Sequence, residues 1–75
     1  MAMTQASQAL EAPEHLGLDT RIAFRQRAVA LLEQLPERSG RLVIDLGATR
    51  TVDSAGLGAL MLIQRKASER RQVVV

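Results

Sequence analysis

The sequence has no cysteine, no tryptophan and no tyrosine, a single phenylalanine (Phe24) and a single histidine (His15) among its 75 residues. Without cysteine there is neither a disulfide framework nor a thiolate zinc site, and one histidine leaves any metal centre to carboxylates. No metal and no cofactor are therefore expected. The shortage of aromatics is equally restrictive. With 47% of positions hydrophobic and 1% aromatic, a core has to be built of Leu, Val, Ile, Met and Ala, and such a small aliphatic core leaves a narrow margin of stability.

Charge of one sign is also scarce: ten bases face eight acids, for a net charge of +2. The isoelectric point near 10.5 reflects the absence of Cys and Tyr and the predominance of Arg among the bases. Acids and bases are interspersed, so no basic stripe forms and nucleic acid is not the expected partner. No apolar run is longer than the five residues of 59–63, far too short to span a bilayer, and the N-terminus lacks a basic region followed by an apolar one. The sequence predicts a cytoplasmic protein with no direct membrane insertion.

Residues 1–14 are small, polar and Ala-rich, and Pro13 pushes Ala12 toward an extended backbone. They read as a flexible N-terminal tail preceding a domain over residues 15–75, with His15-Leu16-Gly17-Leu18 as a short edge segment. From Asp19 the period changes. Phe24, Ala28, Leu31 and Leu35 form a helical stripe flanked by Ile22, Val29 and Leu32, which predicts an amphipathic helix capped by Asp19 or Thr20 and ended by Pro36 and Gly40. Arg21, Arg25 and Arg27 lie off that stripe and face water; Arg21 and Arg25 are placed to rim an acidic partner. Arg41-Leu42-Val43-Ile44-Asp45-Leu46 is nearly continuously apolar, which predicts a strand covered on both faces. A polar loop, 47–53, leads into a second helix over residues 54–70, with Leu57, Leu60, Met61, Gln64 and Ala67 as its inner stripe.

The chain ends in Gln72-Val73-Val74-Val75, the beginning of a strand. This order of weak β, α, β, α, β predicts an α/β fold with a mixed or parallel sheet flanked by helices. An exposed Val-Val-Val edge invites pairing. Either the domain is incomplete at its C-terminus, or a second copy completes the sheet as a homodimer or domain swap through the C-terminal strand.

The chemistry concentrates around Asp45, at the carboxyl end of the best strand, and Asp53-Ser54-Ala55-Gly56-Leu57-Gly58, entering the second helix. In open α/β sheets this edge is where ligands and partners bind. Ser and Asp are preferred N-cap residues, so capping alone accounts for both side chains. In the alternative reading Ser54 is a phosphoacceptor: a phosphate is tolerated at a helix N-terminus, and on a flat surface left open by Gly56 and Gly58 it would repel a docked partner. Enzymatic readings are weaker. Gly56-x-Gly58 followed by Met61 breaks the dinucleotide fingerprint, no phosphate-loop lysine follows, and Ser54 lacks the Gly-x-Ser-x-Gly elbow. No catalytic residue is assigned, and His15 reads as a solvated loop residue.

Arg41-Leu-Val-Ile-Asp-Leu, a short loop and Val52-Asp-Ser-Ala-Gly-Leu-Gly-Ala-Leu together resemble the STAS domain of sulfate transporters and anti-sigma factor antagonists, well over residues 41–75 and loosely from Asp19. The resemblance implies a phosphorylation-regulated anti-sigma factor antagonist, acting in transcription regulation through protein–protein interaction. Ser54 would be phosphorylated by an anti-sigma serine kinase. Asp45 and Asp53 would hold the loop and helix start, and Ser54, Gly56 and Leu57 would lie in the partner-binding surface. Family members usually open with a β-hairpin and end with a further helix; here the N-terminus is Ala/Gln-rich and the C-terminal helix is lacking. That departure resembles the abbreviated STAS subunits that dock on the ATPase of lipid-asymmetry ABC transporters, the alternative function.

Overall fold

A computed structural model describes residues 6–75. Its strongest strand, β3 (Arg41–Asp45), runs through the middle of a three-stranded parallel sheet between β1 (Ser7–Glu11) and β5 (Val73–Val74). Helix α1 (Arg21–Gln34) connects β1 to β3, and α2 (Ser54–Glu69) connects β3 to β5. Two short strands, β2 (His15–Leu16) and β4 (Thr51–Val52), form a separate parallel pair.

Strand β1 corrects the expectation of a flexible tail over residues 1–14, of which residues 1–5 lie outside the described part. Ser-Gln-Ala-Leu-Glu carries no β-branched or aromatic residue, so its intrinsic preference for strand is weak. Pairing with β3 overrides that preference. Leu10 aligns with Ile44 in the ladder, the Arg41 N–H donates to the Ala6 carbonyl at 2.9 Å, and the Ala12 N–H donates to the Asp45 carbonyl at 2.8 Å. Leu10 and Ala12 are both buried.

Two crossovers of the same hand place α1 and α2 on one face of the sheet. There Leu10, Leu42, Phe24, Ala28, Leu32, Leu35, Ile63 and Ala67 form one core, with Ile44 and Val74 packed against it. Since both helices cover the same side, β3 is not sandwiched: Leu42 is fully buried, whereas Val43, on the opposite face, is only half-buried.

The inner face of α2 is rotated from the expected stripe. Gly56, Ala59, Ile63 and Ala67 face inward, Leu60 is half-buried, and Leu57, Met61 and Gln64 are exposed. Small residues permit a close approach that large ones would block. A Cβ on Gly56 would lie 2.7 Å from the Leu16 carbonyl carbon, so α2 rests directly on the β2 backbone. Helix α1 buries Phe24, Ala28 and Leu35 of its expected stripe and the flanking Leu32, while Leu31 is half-buried and Ile22 exposed, and Thr20 does not cap it by side chain. The Thr20 hydroxyl instead accepts from the Gly17 N–H at 3.0 Å and donates to the His15 carbonyl at 2.7 Å.

A buried polar residue closes the other end of α1. The Gln72 amide donates to the carbonyls of Leu32, Leu35 and Pro36 at 2.8, 3.0 and 3.2 Å; Leu32 and Pro36 also accept from the N–H groups of Leu35 and Gly40, so Gln72 matters most to the Leu35 carbonyl at the helix C-terminus. No helix among the described residues is long and apolar enough to cross a membrane.

Candidate functional site

The start of α2 is organised by Asp53. Its Oδ1 accepts from the Gly56 N–H at 2.9 Å, making it the N-cap, and its Oδ2 accepts from the Leu18 N–H at 3.2 Å. The Gly56 N–H, with further help from the Leu18 and Ala55 N–H groups and the His15 charge, holds the Asp53 carboxyl below its ordinary value. His15 Nε2 stands 3.7 Å from Asp53 Oδ2, while its Nδ1 shares a hydrogen bond with the Thr51 hydroxyl. Strand pairing brings these groups together, because β2 carries His15 and β4 carries Thr51 directly opposite it. His15 thus belongs to a strand at the helix start and not to the loop that its sequence context suggests, while its side chain stays exposed to water as expected.

Asp53 settles the question of capping. It makes the cap bond, and the Ser54 side chain, exposed on the first residue of α2, makes no hydrogen bond among the described residues. Ser54 opens onto a concavity of about 310 Å³ lined by Arg21 and Arg25 of α1 and by Ala55, Gly58, Ala59 and Leu62 of α2. The two arginines lie one turn apart, on the same face of a helix; their spacing was visible in the sequence, but their position beside Ser54 depends on the packing of α1 against α2.

Asp45 does not join this group. Its Oδ1 accepts from the Gly47 N–H at 2.8 Å, bracing the turn after β3, and it shares no hydrogen bond with Asp53 or Ser54. Gly56 is likewise removed from the surface on which the sequence put it, because it is buried beneath α2 against Leu16. Gly58 is open, with nothing within 4 Å of where its Cβ would be. Leu57, 55% exposed, and Met61, 66% exposed, stand one turn apart on the outside of α2. The loop over 47–53 is also less free than its polarity suggests: Thr49 Oγ1 donates to the Pro13 carbonyl at 2.8 Å and the Asp53 N–H to the Leu16 carbonyl at 3.1 Å.

A serine nucleophile needs a base within hydrogen-bond reach, and both nitrogens of His15 face Thr51 and Asp53. Among the described residues no three His, Cys, Asp or Glu side chains gather as a metal would require. What the site offers is an exposed hydroxyl, two guanidinium groups and an uncovered apolar ridge.

No curated protein and no solved structure matches the chain. A family model does, described as "Mlab, STAS domain" and matched over residues 1–75. The parallel sheet, the two helices on one face and the Asp53-Ser54 helix start fit that match, and the chain belongs to the STAS domain family.

Proposed function

We propose that the chain is a non-catalytic docking module that seats a partner protein on the exposed start of α2, with Ser54 as the position at which phosphorylation regulates docking. The observation that carries this reading is the free Ser54 hydroxyl. Asp53 already caps the helix, so the fold does not need that hydroxyl. It stands exposed beside the equally uncovered Leu57 and Met61. A phosphate there would add nearly two negative charges to the rim of this surface and change what can seat on it. On this reading the partner is an anti-sigma serine kinase and the chain is an anti-sigma factor antagonist. Leu57, Ser54 and Gly58 form the contact, while Asp53 positions them.

A second reading, constitutive docking on the ATPase of a lipid-asymmetry ABC transporter, is favoured by the description under which the family matches, which names Mlab. One experiment separates the two. The tagged protein and its Ser54→Ala and Ser54→Asp variants are co-purified with their partner, which is identified by mass spectrometry, and Ser54 is examined by phosphopeptide mapping. Regulated docking predicts a kinase-like partner, a phosphate on Ser54, and binding weakened by Ser54→Asp but not by Ser54→Ala. Equal binding by both variants overturns the regulatory role, and an ATP-binding cassette protein as partner selects the second reading.

A further inference from the structure

The concavity beside Ser54 continues along the seam between the helices. Beyond it lies a second hollow of about 460 Å³, lined by Arg25, Gln26, Val29, Ala30 and Glu33 of α1 and by Leu62 and Lys66 of α2. A third, of about 270 Å³, is formed by Gly58, Met61, Leu62 and Arg65. The first two share Arg25 and Leu62 and form one groove with an aliphatic floor along the seam, while the third, on α2 alone, adjoins it through Gly58 and Leu62.

Its rim is cationic. Arg21 and Arg25 stand on the α1 side and Arg65 and Lys66 on the α2 side, with Glu33 the only acid lining any of these hollows. None of the four cations has a carboxylate within salt-bridge distance among the described residues. The ion pairs present are Glu14 with Arg50, Glu37 with Arg70, and Asp53 with His15, and residues 1–5 contain no acid. The groove runs between helices of 14 and 16 residues, about 20 Å long at 1.5 Å per residue. That matches three to four turns of a helix laid into a groove, with apolar anchors one turn apart.

We infer that the α1/α2 groove receives an acidic amphipathic helix of a partner protein, its aliphatic side chains on Leu62 and its carboxylates on Arg21, Arg25, Arg65 and Lys66. The inference rests on the docking reading and adds the partner's chemistry to it. Charge complementarity selects the occupant: unpaired cations flank an apolar floor, and like charge on an incoming segment would be repelled. A concave seam fits side chains better than it fits the plane of a lipid surface. The groove also has a built-in competitor, since a phosphate on Ser54 would lie beside Arg21 and Arg25 and displace the carboxylates they hold.

The probe is a fluorescein-labelled, amidated peptide with leucines at helical spacing and glutamates on either side, compared with the same peptide carrying lysines for glutamates and with phosphatidylglycerol vesicles. Anisotropy with the wild-type protein should show the acidic peptide binding at least about tenfold tighter than the lysine peptide, with affinity falling several-fold as salt rises. Backbone amide shifts should map to α1 and α2. The Arg21→Glu/Arg25→Glu variant, with its urea midpoint checked against wild type, should lose about tenfold. Equal binding of the two peptides, an unaffected arginine variant, or binding to vesicles in place of peptide overturns the inference. Gly58→Gln fills the groove without changing charge. If the co-purified partner is lost with Gly58→Gln but kept with the arginine variant, the acidic-helix inference alone falls. If it is kept with both, the docking reading falls as well.

Discussion

Gly56 and Gly58 lie two residues apart in one helix, yet the same substitution should move stability in opposite directions at the two positions. In a helix interior, Gly→Ala is favourable by roughly 0.8–1 kcal/mol, because alanine has less backbone freedom to lose. At Gly58 nothing lies within 4 Å of the new methyl group, so Gly58→Ala should realise that gain. At Gly56 the methyl would lie 2.7 Å from the Leu16 carbonyl carbon and 3.0 Å from Leu16 Cγ, and closer still to the Leu16 carbonyl oxygen. Backbone atoms held in the β2–β4 pair cannot swing aside as a flexible side chain can. Helix α2 has to lift by a sizeable fraction of an ångström, loosening its contact with the fully buried Leu16. Overpacking of this kind costs about 1–3 kcal/mol, and more where the obstacle is main chain. The two variants should therefore differ by about 2–4 kcal/mol, against a total of roughly 4–11 kcal/mol for a domain of this size. Urea denaturation followed by circular dichroism reads the gap. With a slope near 1 kcal/mol per molar, the midpoints should separate by about 2–4 M, Gly58→Ala above wild type and Gly56→Ala below it. Equal midpoints would refute the account of α2 resting on the β2 backbone.

Further expectations concern the cap, the buried amide and the exposed ridge. Because the Asp53 carboxyl is held below its ordinary value of 3.8, its contribution is complete above that value and is lost as pH falls through the depressed folded value. The stability difference between wild type and Asp53→Asn should accordingly shrink as pH falls below about 4; a difference that grows there would contradict the cap. Gln72→Leu leaves the Leu35 carbonyl without its donor, while the carbonyls of Leu32 and Pro36 keep the N–H groups of Leu35 and Gly40, and should cost about 1–3 kcal/mol, read as a lowered urea midpoint; an unchanged midpoint would show that the Leu35 carbonyl does not depend on it. Leu32→Ala, in the fully buried core, should cost about 2–5 kcal/mol. Leu57→Ala and Met61→Ala should each stay within about 0.5 kcal/mol of wild type while weakening partner capture; a large loss of stability from either would place that side chain in the fold and not in the interface.

The elements with strong periodicity were legible in the sequence: α1 through Phe24, Ala28 and Leu32, β3 through its unbroken apolar run, and the Asp53-Ser54 start of α2. Strand β1 was not. Its single large apolar residue, Leu10, carries too little pattern to announce a strand, and the stabilising partner is β3, more than thirty positions away. Within the site, the sequence placed Ser54 at the helix start but could not decide between capping and exposure, since Asp53 and Ser54 are both good caps. In the folded chain the Gly56 N–H donates to Asp53, which makes Asp53 the cap. Asp45 looked like a partner to Asp53 because both border one loop, yet a short turn to Gly47 satisfies it locally. His15 was undervalued for the converse reason: its partners, Thr51 and Asp53, are brought close only when β2 pairs with β4.

The rotated face of α2 links the fold to the proposed interface. A stripe chosen by residue size would bury Leu57 and Met61, since hydrophobic burial grows with apolar area. The helix buries Gly56, Ala59 and Ala67 with Ile63 instead. The reason is distance: where α2 lies on the β2 backbone, at Gly56, a Cβ would run into the Leu16 main chain, so the closest point of the helix has room for no larger side chain. Close packing on the small face therefore pushes the large side chains outward. Leu57, Met61 and Leu62 remain on the surface although a core short of aromatics would gain from burying them. A helix that leaves Leu57, Met61 and Leu62 uncovered, next to a serine and two arginines without a partner among the described residues, has apolar surface available for a second protein. The same geometry predicts the behaviour of a swap: exchanging Gly56 with Leu57 would put leucine under α2 and glycine outside, unfolding the domain, whereas exchanging Gly58 with Leu57 would leave the urea midpoint nearly unchanged and move only the docking surface.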